Sequence, residues 1–162
     1  MAGHRLDPDS LGDHIDRLYR AAWSLTGSRE EAEDLVQETF ARVLARPRWV
    51  TRANDVGYLL SALTNTHRSR RRSRQRRPVL VPALEDDQLA DVRAGATPER
   101  HLETSELYAA IAELPGEFRE AVVAVDVVGL SYREAAEHLR VPEATIATRV
   151  HRGRKRLAAR LG

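Results

Sequence analysis

The stretch LSYREAAEHLRVPEATIATRVHRGRKRL, Leu130 to Leu157, reads as two helices joined by a tight turn. Ser131 followed three residues later by Glu134 is a capping box, in which each side chain satisfies a backbone N–H that the first helical turn leaves unpaired. It predicts a helix starting at Tyr132, with Ala135, Ala136 and Leu139 as its small apolar stripe. Arg140-Val141-Pro142 ends that helix, because proline disfavours helix in the residue before it, and Pro142 suits the start of the next. Ile146, Val150 and Leu157 recur at helical spacing and turn inward, which points Thr145, Thr148, Arg149, Arg152 and Arg154 elsewhere. The pair is a helix-turn-helix with a basic outer face, a shape that fits a major groove, where hydroxyls and arginines reach base edges and phosphates. A solvated amphipathic hairpin gives the same pattern, so the stretch alone leaves both readings open.

Working outward, Leu102, Leu107, Ile111 and Leu114 mark a helix before Pro115. Phe118, Val122, Val125 and Val128 mark another that ends at Gly129, and both pack behind the helix-turn-helix. Upstream lies VLVPALEDDQLADVRAGATPER, rich in proline and acid, which reads as a linker. Before it, Val56, Leu59, Leu60 and Leu63 start a helix that runs into seven arginines between Arg68 and Arg77. Such a density binds polyanion or forms a solvated tail. With Tyr58, Asn65 and Thr66 upstream, it suggests a surface holding a nucleic-acid backbone beside an aromatic ring and an amide. Pro47 to Asn54 reads as a loop. In SREEAEDLVQETFARVL, Ser28 and Glu31 form a second capping box. Ala32, Leu35, Val36, Phe40, Val43 and Leu44 make the apolar side of that helix, although Leu35 and Phe40 sit awkwardly in the polar run and suit a partner. Leu11, Ile15, Leu18, Ala22 and Leu25 predict one amphipathic helix ending near Gly27.

Composition sets outer bounds on this reading. The 162 residues carry a net charge of only +2, yet the isoelectric point is about 9.4, so the clustering of charge says more than its sum. All but one of the cations are arginine, Lys155 being the exception. Cysteine is absent, which excludes a disulfide framework, a thiolate nucleophile and cysteine-ligated zinc. The histidines show no metal-ligand spacing, and there is no phosphate-cradling glycine loop or recognisable catalytic triad motif. No cofactor and no enzymatic activity are expected. No apolar run reaches membrane-span length and no signal peptide opens the chain, so no membrane insertion is expected.

Taken together, Ala32–Leu44 (AEDLVQETFARVL), GYLLSALTNTHRSRRR and LPGEFREAVVAVDVVGLSYREAAEHLRVPEATIATRVHRGRKRL resemble, in that order, regions 2.2, 2.3 to 2.4, and 4 of an extracytoplasmic-function sigma factor, the smallest class of the sigma-70 family. The resemblance implies an all-α fold of two small helical domains joined by a flexible linker. These are sigma region 2 over 8–77, a linker over 78–100, and sigma region 4 over 101–162. It further implies promoter-directed initiation by core RNA polymerase, bound through the β′ clamp helices and the β subunit, in the bacterial cytoplasm. Asp34, Leu35, Gln37, Glu38 and Phe40 inherit the core-polymerase contacts. Tyr58, Asn65, Thr66, Arg68, Arg71 and Arg72 inherit the −10 element, with Asn65 on a flipped base; Tyr58 stands where the family usually has tryptophan. Thr145, Thr148, Arg149, His151, Arg152 and Arg154 inherit the −35 element, and Ala147 replaces a common basic residue. A separate anti-sigma factor is implied, since no fused regulatory domain is seen before Leu11 or after Leu161. The alternative is a stand-alone helix-turn-helix regulator of duplex DNA, and a basic RNA-binding protein is a third class.

Overall fold

The computed structural model describes residues 3–51, 54–76 and 98–162. Arg77 and most of the expected linker, 78–97, lie outside the described residues. The elements are β1 (His4–Arg5), α1 (Pro8–Gly12), α2 (Ile15–Thr26), α3 (Arg29–Ala45), β2 (Trp49–Val50), α4 (Asp55–Arg76), α5 (Pro98–Ala112), α6 (Gly116–Val122), a π-helical turn (Val123–Val127), α7 (Tyr132–Leu139) and α8 (Glu143–Leu161). The all-α expectation holds apart from one short ribbon, in which β1 pairs antiparallel with β2 and sets His4 opposite Val50.

Local sequence explains most of the boundaries. Ser131 and Glu134 form the reciprocal capping box, with Ser131 N–H donating to Glu134 Oε2 at 2.7 Å and Glu134 N–H to Ser131 Oγ at 3.1 Å. Replacing Ser131 by alanine is expected to lower stability by about 1 kcal/mol, read as a shift of the urea midpoint. The turn after α7 is closed by Arg140 in the left-handed region, φ 57°. The single helix expected from Leu11 to Leu25 is two: Asp7 caps α1, which turns at Asp13, and α2 restarts at Ile15. Ser28 caps α3 through the Glu31 N–H, but the Glu31 side chain does not complete a second box. It reaches Arg74 Nη1 at 3.1 Å instead. Helix α5 starts at Pro98, inside the expected linker, and its Leu102 and Leu107 are exposed rather than core.

Two domains were expected, and the structure packs them against each other. One apolar cluster includes Leu18, Leu35, Leu59 and Leu63 from the first half and Ile111, Val122, Ile146 and Val150 from the second. Helix α2 lies along α5 and the π-helical turn, and α4 meets α7. Trp23 of α2 meets the Tyr108 ring of α5 at 5.0 Å between centroids. Gly27 ends α2 at φ +78°, where its absent Cβ would come 3.1 Å from the Ala112 methyl. Halves of this size bury limited cores, so mutual docking supplies part of what each lacks.

Candidate nucleic-acid interface

Helix α4 presents its polar face as one line. At 100° per residue, Tyr58, Asn65, Arg72 and Arg76 fall within about 40° of each other, while Leu59, Leu60 and Leu63 turn to the core. Asn65, Arg72 and Arg76 are exposed and Tyr58 is half-buried. Ser69, Arg72, Ser73 and Arg76 line a shallow depression at the basic end of this line. The two serines and Arg76 are not among the residues the sequence singles out, although Ser69 and Arg76 stand three and four residues from Arg72, and Ser73 stands four from Ser69.

The other proposed −10 contacts stand differently. Thr66 is buried and donates its hydroxyl to the Ala62 carbonyl at 2.8 Å, so it supports the helix and offers nothing outward. Arg68 donates to both carboxylate oxygens of Glu120 on α6, Nε to Oε1 at 2.8 Å. This pairing raises its pKa further. Arg71 is exposed, about 100° around the helix from Arg72 and past Arg68. Of the remaining arginines, Arg70 binds Glu38 and Arg74 binds Glu31, both on α3.

On α3 the outward row is Glu30, Glu33, Asp34, Gln37, Ala41 and Leu44, each within three or four residues of the next along the helix face. Asp34 and Gln37 therefore stand exposed, as expected. Leu35 does not: it is 0% exposed, on the core stripe with Ala32, Val36, Thr39 and Val43, and is corrected to a core residue. Phe40 is half-buried against the core, and Glu38 is occupied by Arg42 at 2.8 Å and by Arg70. The large exposed apolar residue of the row is Leu44, at 39%, assigned in the sequence to the core side.

On α8, His151 and Arg152 are exposed and Thr145 is half-buried. The Thr148 hydroxyl is exposed but donates to the Ala144 carbonyl at 3.0 Å. Arg149 lies 3.7 Å from Glu117 of α6. Arg154 grips Asp126 with two hydrogen bonds, 3.0 and 2.6 Å, which raise its pKa above the usual guanidinium value. Arg156 sits over the Phe118 ring at 5.4 Å.

Between α4 and the second half runs a polar seam. Ser61 Oγ is 2.6 Å from His138 Nδ1 on α7. Burial is the main cause pushing the His138 imidazole down to about 4. His67, buried beside Arg119, is also pushed down to about 4, by burial first and then by the Arg119 and Arg71 charges. Near the other end of the bundle, His4 and His14 approach the buried Asp55 carboxylate at 3.1 and 3.8 Å. Among the described residues no cluster has the geometry to hold a metal, and no helix is long and apolar enough to cross a membrane.

Comparison with known proteins places these surfaces in context. Residues 11–77 match the family model "Sigma-70 region 2" and residues 104–157 match "Sigma-70, region 4". The chain is 38% identical over 148 residues to the ECF RNA polymerase sigma factor SigE of Mycolicibacterium smegmatis, covering 89% of this chain and 57% of that one, so it spans little over half of that relative. It is 35% identical over 158 residues to the ECF RNA polymerase sigma factor EcfG of Rhodopseudomonas palustris, covering 94% of this chain and 86% of that one. Among solved structures, the sigma factor RpoE in complex with the anti-sigma factor NepR from Bartonella quintana superposes with a TM-score of 0.71 at 26% identity, covering 96% and 98% of the two chains. CnrH in complex with the cytosolic domain of CnrY shares the fold at a TM-score of 0.64 and 22% identity, covering 94% of this chain and 85% of that one.

Proposed function

The chain belongs to the extracytoplasmic-function RNA polymerase sigma factors of the sigma-70 family, and on that premise we propose how its surfaces divide the work of promoter-specific initiation. Residues 8–77 act as region 2 and 101–162 as region 4, with the tether between them shortened by the early start of α5 at Pro98. The acidic row of α3, Glu33, Asp34 and Gln37 with Leu44 at its end, docks on the β′ clamp helices of core RNA polymerase, and region 4 reaches the β subunit. The line Tyr58, Asn65, Arg72 and Arg76 on α4 takes the melted −10 strand. Asn65 engages a flipped base, Tyr58 offers a ring, and the arginines and serines of the depression hold phosphate. Thr145, Thr148, His151 and Arg152 of α8 enter the −35 major groove.

The observation that carries this reading is the sorting of charge on one half: an outward acidic row on α3 beside an outward basic line on α4. A duplex-only regulator needs the second surface at most. The chain itself performs no covalent chemistry and lends recognition to the polymerase, in the bacterial cytoplasm. The partner named with the solved sigma factor RpoE is the anti-sigma factor NepR, and a separate inhibitor of that class fits this chain.

The test is co-elution with core RNA polymerase on a sizing column without DNA. The wild-type chain is expected to form a stoichiometric complex. Asp34→Ala with Gln37→Ala should weaken it about tenfold, while Leu44→Asp should weaken it at least as much, because it places charge in the apolar end of the interface. Absence of any complex, with tight binding to duplex DNA, would favour the stand-alone regulator.

A further inference from the structure

Helix α6 and the π-helical turn together carry three acidic residues, Glu117, Glu120 and Asp126. Each one meets an arginine of a helix assigned above to DNA. Glu120 binds Arg68 of α4, Glu117 faces Arg149 of α8 and Asp126 binds Arg154 of α8. The one base of that segment, Arg119, is buried and donates to the Leu114 carbonyl at 2.9 Å instead of to any of the three. By contrast Arg71, Arg72, Arg76, Arg152 and Lys155 have no carboxylate partner among the described residues. The acidic segment thus lies between the two basic helices and spends all of its carboxylates on them.

We infer that Glu117, Glu120 and Asp126 are specificity-determining residues, an internal substitute for DNA phosphate that holds down the sequence-independent affinity of the free chain. The inference rests on the reading of α4 and α8 as DNA-facing helices. Its physical basis is the nature of the phosphate term: an unpaired arginine binds nucleic acid without regard to base sequence, by releasing condensed counterions. A carboxylate already seated on that arginine removes this advantage and adds repulsion toward an approaching phosphate. Contacts to bases are not made by Arg68, Arg149 or Arg154 in this arrangement, so discrimination is left to Asn65, Thr145, Thr148, His151 and Arg152. The pairs are at least partly exposed, and exposed ion pairs are weak enough to be exchanged. Phosphates delivered in register by polymerase and promoter can therefore replace the carboxylates, whereas random encounters achieve little.

The experiment uses the full chain with Glu117→Gln, Glu120→Gln and Asp126→Asn combined, and reads fluorescence anisotropy of a random-sequence duplex over a potassium chloride series. Non-specific affinity is expected to rise roughly tenfold, and the slope of log K against log salt to steepen by about 0.9 for each additional phosphate neutralised. The single variants separate the helices: Glu120→Gln should raise affinity for a single-stranded oligonucleotide, and Asp126→Asn for duplex. These singles also serve if the triple variant loses its helical circular dichroism. Unchanged affinity and slope in folded variants would overturn the inference. Reduced affinity would overturn it too, and would make the carboxylates positioning residues for their arginines. Failure of the wild-type chain to co-elute with core polymerase would count against the proposed function while leaving the anisotropy result to stand or fall separately.

Discussion

Gly153→Val is expected to lower the stability of the chain by on the order of 3 kcal/mol and to strip helical signal from its C-terminal half. A glycine within a helix normally weakens it by about 1 kcal/mol relative to alanine, so removing one inside the 19-residue α8 would ordinarily help. Here it cannot, because α8 crosses α6 at this point. A Cβ on Gly153 would lie 2.6 Å from Val122 Cγ2 and 3.6 Å from Phe118 Cβ and its carbonyl oxygen. Val122 is itself buried and stiff at its branched Cβ, so it has no room to step aside. Overpacking of this kind costs about 1 to 3 kcal/mol, and the two methyls of valine add to it. Gly153→Ala should show the smaller penalty, and Gly153→Ala combined with Val122→Ala should recover part of it in a urea double-mutant cycle. A stabilising Gly153→Ala would show that the α6–α8 crossing opens freely.

Acidification from pH 7.5 to 5 is expected to bring the second large loss, centred on the seam between α4 and the second half. His138 and His67 have ordinary values near 6.5 and are held near 4 in the folded chain. The folded state therefore binds fewer protons than the unfolded one. Its stability is complete above about 6.5 and falls as pH drops toward 4. After allowance for solvent screening, the two together are worth on the order of 3 kcal/mol across that window. The groups facing them are Glu120 and Arg68 for His138, and Arg119, Arg71, Arg74 and Glu120 for His67. Carboxylates such as Asp7, held low by the Ser10 amide, and Glu113, held low by Arg160, act only below this range. The urea midpoint at pH 7.5, 6 and 5 thus isolates the histidines. His138→Asn, which keeps a hydrogen-bonding atom near Ser61, should flatten the curve, and an unaltered pH dependence in that variant would assign the effect elsewhere.

Much of this was legible from local pattern. The capping box at Ser131, the turn at Arg140 to Pro142, and the inward set Ile146, Val150 and Leu157 are fixed by neighbours within a few residues, and all stand as read. Leu35 was misplaced because polar residues surround it in sequence, although its three-residue step from Ala32 puts it on the core stripe. Thr39 joins that stripe by donating its hydroxyl to the Leu35 carbonyl at 2.7 Å, a way for a polar residue to be buried that composition does not announce. The β1–β2 ribbon has two residues per strand, too few for an alternating signal. Trp49, 72% exposed on that ribbon, looked like a loop residue for the same reason. Phe118, Val122, Val125 and Val128 phase as one helix ending at Gly129, and that spacing does not mark the π-helical turn Val123–Val127 within it. The pairings that engage Arg68, Arg149 and Arg154 join residues distant in the chain, and spacing along the sequence does not encode them.

The Arg68–Glu120 contact also has an order in time. Its two residues lie 52 positions apart, so at roughly 5 to 20 residues per second the ribosome makes the arginine some 3 to 10 s before the carboxylate that will hold it. Through that interval Arg68 is made and Glu120 is not, while the earlier-made Glu31 and Glu38 are already present to engage Arg74 and Arg70. The acids of α3 precede the arginines of α4 in the chain, and in biosynthesis that order lets them escort the basic helix until the second half arrives.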